Sequence, residues 1–174
     1  MEIKTPAVRI EPWSKDDFHL LRAANAPEMT TELGGPETEE QLIGRHQRYV
    51  DLSADRTGKG RMFRIVLLPG EQPAGSVGFW EQTWNGDQVY ETGWSVLPEF
   101  QGLGIATAAT IAVVAMARAE HKHRYLHAFP NVSNGPSNTV CRKAGFELMG
   151  DCDFEYPPGQ VHRSNDWRLD LLKP

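Results

Sequence analysis

Hydrophobic positions in the first third of the chain predict one strand and two helices. Residues 7–13, AVRIEPW, alternate apolar and polar side chains, as a strand with one buried face does. Ser14 precedes two aspartates and a run that contains Phe18, which predicts the start of a helix. A second helix is predicted over residues 38–54, where apolar residues recur near one face. A loop with Gly34, Gly35 and Pro36 separates the two helices.

The middle of the chain predicts a sheet followed by a buried helix. Three strands are predicted at residues 62–68, 74–84 and 89–97. The Asn-Gly pair at 85–86 is a strong signal for a tight hairpin between the last two of these strands. Residues 105–117 follow as an alanine-rich run without charge, which predicts a helix packed into the fold.

The last third of the chain predicts one helix and three more strands. The strands are predicted at residues 125–129, 146–154 and 167–172. The helix lies around Val140 and ends at Gly145, a residue type that favours helix C-termini. The Pro-Pro-Gly stretch at 157–159 predicts a hairpin loop that reaches towards an active site. We therefore expect a single domain, residues 1–174, of mixed α+β class.

Composition and charge narrow the function classes. The chain has 174 residues and is 40% hydrophobic, which is enough for the core of one ordinary domain. Its net charge of −5 argues against nucleic acid as the main partner and suits a cationic or amine substrate. The uncharged run at 105–117 is shorter than the roughly 20 residues of a membrane span, so no membrane partner is expected. Cys141 and Cys152 are expected to be free thiols in a reducing cytoplasm, because the N-terminal residues lack an apolar signal segment.

The strongest functional signal is the segment LPEFQGLGIATAA, residues 97–109, in which a glycine-rich turn leads directly into a helix. Gly102 and Gly104 remove side chains where the first helical turn leaves its N–H groups unpaired. The helix dipole adds partial positive charge at the same place, so the turn can hold a pyrophosphate without lysine or arginine. A tight strand-to-helix connection without any ligand is the alternative interpretation.

Two other phosphate-binding motifs fit these residues poorly. A P-loop would need Gly-Lys-Ser/Thr after the glycines, and that sequence is missing. A dinucleotide-binding turn would need a third glycine where Thr107 stands, and an acidic residue at the expected distance on a second strand. Both alternatives are therefore disfavoured.

Two motifs together resemble the GNAT acetyltransferase superfamily. QGLGIA, residues 101–106, matches its Q/R-x-x-G-x-G/A signature, and NGPSNTVCRKAGF, residues 134–146, is similar to its N-x-x-S/A…K-x-G-F segment. The resemblance covers residues 62–172 well and lies closest to the branch of the ribosomal-protein N-terminal acetyltransferases. It implies the α+β GNAT fold, a central, mixed but mostly antiparallel sheet that is flanked by helices and splayed between its fourth and fifth strands.

The resemblance also implies that acetyl-CoA lies in the splay. Its pyrophosphate would take N–H bonds from the glycine turn and the Thr107 hydroxyl, and its pantetheine arm would pair with the Val96 and Leu97 backbone as an added strand. Asn134 would hold the other side of the arm or cap a helix. The residues assigned to the cofactor are Val96, Leu97, Gln101, Gly102, Leu103, Gly104, Ile105, Ala106, Thr107 and Asn134.

The implied chemistry is the attack of a neutral amine on a thioester. It requires a group that removes a proton from the ammonium and a group that stabilises the departing thiolate. Many superfamily members use a tyrosine acid at the position that Cys141 occupies here. Ser137, which matches the serine of N-x-x-S, is then the candidate for hydrogen bonding to the thiolate, with first-turn capping as the alternative.

Three carboxylates are candidates for the base. Glu91 stands on the strand that leads to the glycine turn, and it is the first choice. Glu155, on the strand after the second motif, is the runner-up, and Glu81 is the third choice. A solvated strand carboxylate is the alternative interpretation of each.

A zinc site is the alternative for the clustered histidines His121, His123 and His127, but no matching carboxylate or cysteine set accompanies them, so no metal is expected. The expected protein is a cytoplasmic, acetyl-CoA-dependent N-acetyltransferase that acts on a primary amine by direct attack in a ternary complex. The acceptor is a protein N-terminus or a small-molecule amine. A catalytically silent module that binds acyl-CoA is the alternative, and a homodimer stays open.

Overall fold

A computed structural model describes residues 5–174, which form four α-helices and seven strands. The strands are β1 Val8–Pro12, β2 Gly60–Leu67, β3 Gln72–Trp84, β4 Asp87–Val96, β5 Tyr125–Ala128, β6 Glu147–Glu155 and β7 Val161–Asp170. The helices are α1 Phe18–Ala24, α2 Glu39–Ala54, α3 Ile105–Ala119 and α4 Gly135–Lys143. None of the helices in this part of the chain combines the length and the apolar character that a membrane crossing requires.

The seven strands form one sheet in the order β1-β2-β3-β4-β5-β7-β6. All neighbouring strands are antiparallel except β4 and β5, which run parallel. These two strands pair only at Tyr90 with Leu126 and at Glu91 with His127, and then β4 continues to Val96 without a partner on that side. The predicted α+β sheet that opens between its fourth and fifth strands is confirmed.

Apolar side chains bury both faces of the sheet. The larger core lies between one face and α3, which carries no charge before Arg118 and packs its apolar residues against the sheet. The smaller core lies on the opposite face under α1 and α2, around Trp13, Leu42 and Met62. The charged residues of α1 and α2 lie outside the smaller core, so two amphipathic helices close it.

Helix starts follow the predicted signals. Ser14 and Asp17 form a capping box before a short 3-10 turn that leads into α1, and Thr38 with Gln41 forms a second capping box at the start of α2. Gly145 adopts a left-handed conformation with a φ of 93° just after α4, as a C-terminal glycine does.

One strand boundary was predicted wrongly. The last strand begins at Val161, six residues before the predicted start at 167. Residues 161–166 are mostly polar and pair with β6, a largely exposed edge strand, so neither partner shows an apolar alternation. The remaining predicted strands and long helices end within two residues of the observed bounds.

Candidate active site

The opening between β4 and β5 exposes backbone groups of β4. The N–H of Leu97 donates to the carbonyl of Ala74 on β3 at 2.8 Å. Backbone groups point alternately to opposite sides along a strand, so Val96 and Trp94 direct theirs into the opening. The prediction that Leu97 pairs with a pantetheine arm is therefore wrong, because its N–H already belongs to the sheet. Val96 and Trp94 are the residues that can accept an added strand.

The side chain of Gln101 braces the turn after β4. Its Nε2 donates to the Val96 carbonyl at 3.0 Å and lies 3.2 Å from the Met29 sulfur. A 3-10 turn at Pro98–Phe100 carries the chain from the end of β4 to this point. Gln101 therefore stabilises the turn, and its amide binds the Val96 carbonyl, which faces the opening.

The glycine turn leaves the start of α3 open. Gly102 and Gly104 have φ values of 76° and 79°, a left-handed conformation that other residues rarely adopt. Apart from its two chain neighbours, no atom of residues 5–174 lies within 4 Å of the place where a Cβ on Gly102 would stand. The first N–H groups of α3 have no acceptor within the helix, and its first turn carries no acidic side chain. Together these features fit a pyrophosphate.

The remaining predicted residues of this region surround the turn. Leu103 is 55% exposed, Ile105 is buried in the larger core, and Ala106 and Thr107 are partly exposed on the first turn of α3. The Ile105 side chain is therefore directed into the core, which leaves only its backbone at the turn, and Thr107 stands in the first helical turn. Anions bind at such helix starts through backbone donors and the helix dipole together.

The second motif forms the start of α4. The Asn134 side chain accepts a hydrogen bond from the Ser137 N–H at 3.2 Å, so it caps the helix. The Ser137 side chain is partly exposed. Asn138 is buried and connects the helix to β7, because its Oδ1 accepts from Asn165 Nδ2 and Trp167 Nε1, each at 2.8 Å. Its Nδ2 donates to two backbone carbonyls.

Replacing Asn138 by alanine is expected to lower the free energy of unfolding by about 2 kcal/mol, because the buried Trp167 N–H and two carbonyls lose their partner. Urea unfolding measures the change. Thr139, the next residue on α4, is only partly buried, so Thr139→Ala serves as the matched control and is expected to change stability by less than about 0.5 kcal/mol. Equal stability of Asn138→Ala and the control would contradict the assigned network.

Cys141 lies inside the larger core and not at the opening. Its relative exposure is 0%, and burial raises the pKa of its thiol to about 12. At neutral pH the side chain stays protonated and out of contact with solvent. Both cysteines are free, as predicted. Cys141 therefore cannot take over the role of an exposed acid at this position.

Glu91 lies where β4 and β5 separate. It forms the last register pair with His127, and its Oε2 accepts hydrogen bonds from Trp80 Nε1 at 3.0 Å and from Gln82 Nε2 at 3.1 Å. Within residues 5–174 no protein donor reaches its Oε1. Burial raises the pKa of Glu91, opposed by the hydrogen bonds of Gln82 and Trp80 and by the charge of His127. The carboxyl is thus held by one oxygen and offers the other to a proton donor.

Known proteins share the motifs and the fold. A family model described as an acetyltransferase (GNAT) domain matches residues 7–147. The chain belongs to the GNAT acetyltransferase family. The expected class of acyltransferase is thereby confirmed. Among curated proteins, no sequence matches the chain.

Solved GNAT structures superpose on nearly the whole chain. An acetyltransferase from Salmonella typhimurium that modifies the N-terminal serine of ribosomal protein L7/L12 has a TM-score of 0.75 and 21% identity, covering 97% of this chain and 96% of that one. A spermidine N-acetyltransferase from Vibrio cholerae in complex with CoA and spermine has 0.73 and 13%, covering 95% and 96%. An aminoglycoside acetyltransferase in complex with coenzyme A has 0.74 and 16%, covering 94% and 95%. At these identities the likeness shows the GNAT fold.

Two of the predicted bases of this GNAT chain are occupied elsewhere. Glu155 is exposed, and its Oε1 accepts from the Gly159 N–H at 2.7 Å, so it closes the β6–β7 loop. Glu81 interacts with Lys122 and His123, which lower the pKa of its carboxyl. Of the three candidates, the structure places only Glu91 at the strand opening. Glu155 stays a prediction, with one carboxylate oxygen held by its own loop.

Sequence reasoning missed several residues around Glu91. Tyr156, at the end of β6, accepts a hydrogen bond from Arg45 Nη2 of α2 at 2.8 Å, and Arg45 also pairs with Glu37. The β6–β7 hairpin is thereby attached to α2 on the Glu91 side of the sheet. Tyr156 stands beside the predicted Pro-Pro-Gly loop, but its partner is 111 positions away, and no local pattern marks such a contact.

Proposed function

We propose that the chain transfers an acetyl group from acetyl-CoA to a primary amine, by direct attack of the amine within a ternary complex. The observation that carries this proposal is the position of Glu91 at the apex of the strand opening, with one carboxylate oxygen held and the other free of protein donors in the described residues. A base in that position can accept the proton that an ammonium group must lose before it attacks.

The glycine turn supports the donor side of the proposal. The open N–H groups at the start of α3 would hold the pyrophosphate of acetyl-CoA, and the Val96 and Trp94 backbone would pair with its pantetheine arm. Such pairing would lead the thioester along β4 towards Glu91. Bound acetyl-CoA supplies an activated acyl group, and the strand opening supplies the place where an amine meets it.

Glu91 and Ser137 would have separate roles in the reaction. Glu91 would accept the ammonium proton, while the Ser137 hydroxyl at the start of α4 would donate a hydrogen bond to the departing thiolate. A raised pKa suits this use of Glu91, because a base with a pKa nearer to the working pH transfers protons more effectively. Cys141 takes no part, since its thiol is buried and protonated.

The acceptor class follows from charge and from the relatives. The net charge of −5 and the acidic groups near the opening favour a cationic amine. Proteins of the same fold include a spermidine N-acetyltransferase, an aminoglycoside acetyltransferase and an enzyme that modifies the N-terminal serine of a ribosomal protein. A protein N-terminus and a small-molecule amine are therefore the two acceptor types to test, with spermine, an aminoglycoside and a peptide with N-terminal serine as probes.

Thermal unfolding tests the donor before any acceptor is known. At about 30 times its dissociation constant, acetyl-CoA is expected to add about 2 kcal/mol to the free energy of unfolding, a rise in Tm of roughly 4–8 °C. NAD and ATP at the same concentration serve as controls for other phosphate ligands and are expected to shift Tm by less than about 1 °C. Equal shifts with all three would contradict a site that recognises the acetyl-CoA arm.

A catalytically silent module that binds acyl-CoA is the second candidate function. The observation in its favour is Cys141, a buried thiol where many GNAT enzymes carry a tyrosine acid. Both candidates predict the Tm rise with acetyl-CoA, and only the enzyme predicts release of CoA thiol with an amine. A thiol-release assay over the acceptor probes therefore separates the two.

A further inference from the structure

His127 is a buried histidine that the proposed reaction has so far left unused. It lies on β5, is 5% exposed, and stacks on Phe129 with ring centroids 5.6 Å apart. In the parallel β4–β5 pair it stands directly beside Glu91. Residues paired in this way project from the same face of a sheet, so the imidazole and the carboxyl share one side of the strand opening.

The hydrogen bonds of His127 fix its proton-accepting atom. Nδ1 lies 2.6 Å from Asp166 Oδ1 on β7, and Asp166 Oδ2 accepts from Trp84 Nε1 at 3.1 Å. An ionised carboxylate only accepts hydrogen bonds, so the imidazole Nδ1 carries a proton and Nε2 of the neutral ring carries the lone pair. No hydrogen bond within residues 5–174 uses Nε2, and it is not sealed from solvent. The ring of a residue paired with Glu91 therefore has a basic nitrogen that no protein donor occupies in the described residues.

We propose that His127, oriented by Asp166, is a positioning residue that takes the acceptor's proton from Glu91 and so restores the base. The inference rests on the proposed acetyl transfer. The ammonium nitrogen loses one proton to Glu91, and Glu91 passes it to Nε2 of His127. The resulting imidazolium is paired with the Asp166 carboxylate until the proton leaves to water. No electron changes hands, and Glu91 is again a carboxylate for the next turnover.

The surroundings of His127 and Asp166 give the proton a route to solvent. Asp166 lines an open groove on the outer side of the sheet together with Trp84 and Cys152. Phe129 and Phe154 stack at 4.3 Å between ring centroids and, with Trp84, form an apolar wall beside the imidazole. Water therefore reaches the Asp166 end of the pair, while aromatic rings shield its flank.

The charged and titratable groups around His127 come from three strands. Glu91 faces it from β4, and Asp166 and Arg168 face it from β7. Arg168 lies over the Tyr125 ring at 4.3 Å from its centroid, and Cys152 on β6 lies near Asp166. Two carboxylates and one arginine therefore surround the imidazolium that the relay would form.

The test compares His127→Gln and Asp166→Asn with the unaltered enzyme, using acetyl-CoA and whichever of the three acceptor probes it acetylates fastest. His127→Gln is expected to lower kcat about 20-fold while KM for acetyl-CoA changes less than about twofold. Asp166→Asn is expected to lower kcat by a similar factor, because His127 loses the carboxylate that orients Nδ1. His123→Gln removes another histidine that contacts a carboxylate, Glu81, and is the matched control with wild-type kcat.

A second measurement needs no acceptor. 15N NMR of the His127 ring is expected to show a proton on Nδ1 and a lone pair on Nε2 in the neutral unaltered protein, and to lose that preference in Asp166→Asn. Wild-type kcat in His127→Gln, or a neutral His127 ring protonated on Nε2, would overturn the relay. If no probe is acetylated, the proposed function fails and the relay with it, whereas loss of kcat in Glu91→Gln without loss in His127→Gln contradicts the relay alone.

Discussion

Glu91→Gln is expected to lower kcat about 1000-fold, within the range of two to four powers of ten that a general base contributes. Glutamine has nearly the same shape and keeps an oxygen for the Trp80 and Gln82 hydrogen bonds. It cannot accept the ammonium proton. Since Glu91 does not touch the glycine turn, KM for acetyl-CoA is expected to stay within about twofold, and the loss appears in kcat. Initial rates of thiol release at saturating acetyl-CoA measure it.

The same substitution has a predictable effect on stability. The pKa of Glu91 is raised in the folded protein, so the folded state holds this proton more tightly than the unfolded state. Ionised Glu91 therefore destabilises the fold above its raised pKa, and that penalty shrinks as pH falls through the raised pKa and is gone below the unfolded value. Glu91→Gln is expected to be more stable than the unaltered chain at pH 8 and to lose that advantage towards pH 4, as urea unfolding at both pH values would measure.

Two further variants test the assignment. Glu147→Gln changes an exposed carboxylate on β6 and is expected to keep kcat within about twofold. Glu155→Gln addresses the rival base. A large loss of kcat in Glu155→Gln with wild-type turnover in Glu91→Gln would give the role of base to Glu155. Lower activity together with higher stability in Glu91→Gln is the combination that a functional carboxyl predicts and a structural one does not.

The parts of the fold that could be predicted are those with strong local signals. The Asn-Gly hairpin, the capping residue Ser14 and the uncharged run at 105–117 each carry a local signal. The start of β7 could not be predicted in this way, because it pairs with an exposed strand and needs no apolar alternation. Strand propensity is a property of one segment, whereas the start of an edge strand such as β7 depends on the strand with which it pairs.

The glycine turn could be predicted more fully than the groups around Glu91. The glycine turn is a contiguous motif, so its residues stand together in the sequence and in space. The groups around Glu91 include His127 and Asp166 from two other strands, along with Arg45 and Tyr156. No spacing rule links such positions. The error at Leu97 has a simpler physical origin, since strand register alone decides which side a backbone N–H faces.

Gly102→Asp is expected to weaken acetyl-CoA binding about 100-fold. The left-handed φ of 76° is one that aspartate tolerates better than most residues, and the space beyond the Cα is empty. The new carboxylate would stand in the cradle proposed for the pyrophosphate. Each phosphate charge about 6 Å away costs about 1.4 kcal/mol at an effective dielectric constant of about 40, so two charges cost close to 3 kcal/mol. Isothermal titration of acetyl-CoA measures the affinity.

Gly102→Asn is the matched control, because asparagine has the same shape and the same tolerance of the left-handed region but no charge. The aspartate variant without ligand is expected to be no less stable than the asparagine variant, since an acidic residue near the start of α3 interacts well with the helix dipole. The added carboxylate is therefore expected to stabilise the protein without ligand and to weaken its binding of acetyl-CoA. The difference in affinity between the two variants is expected to shrink in about 1 M salt. Equal affinities at low salt would mean that no phosphate occupies the glycine turn.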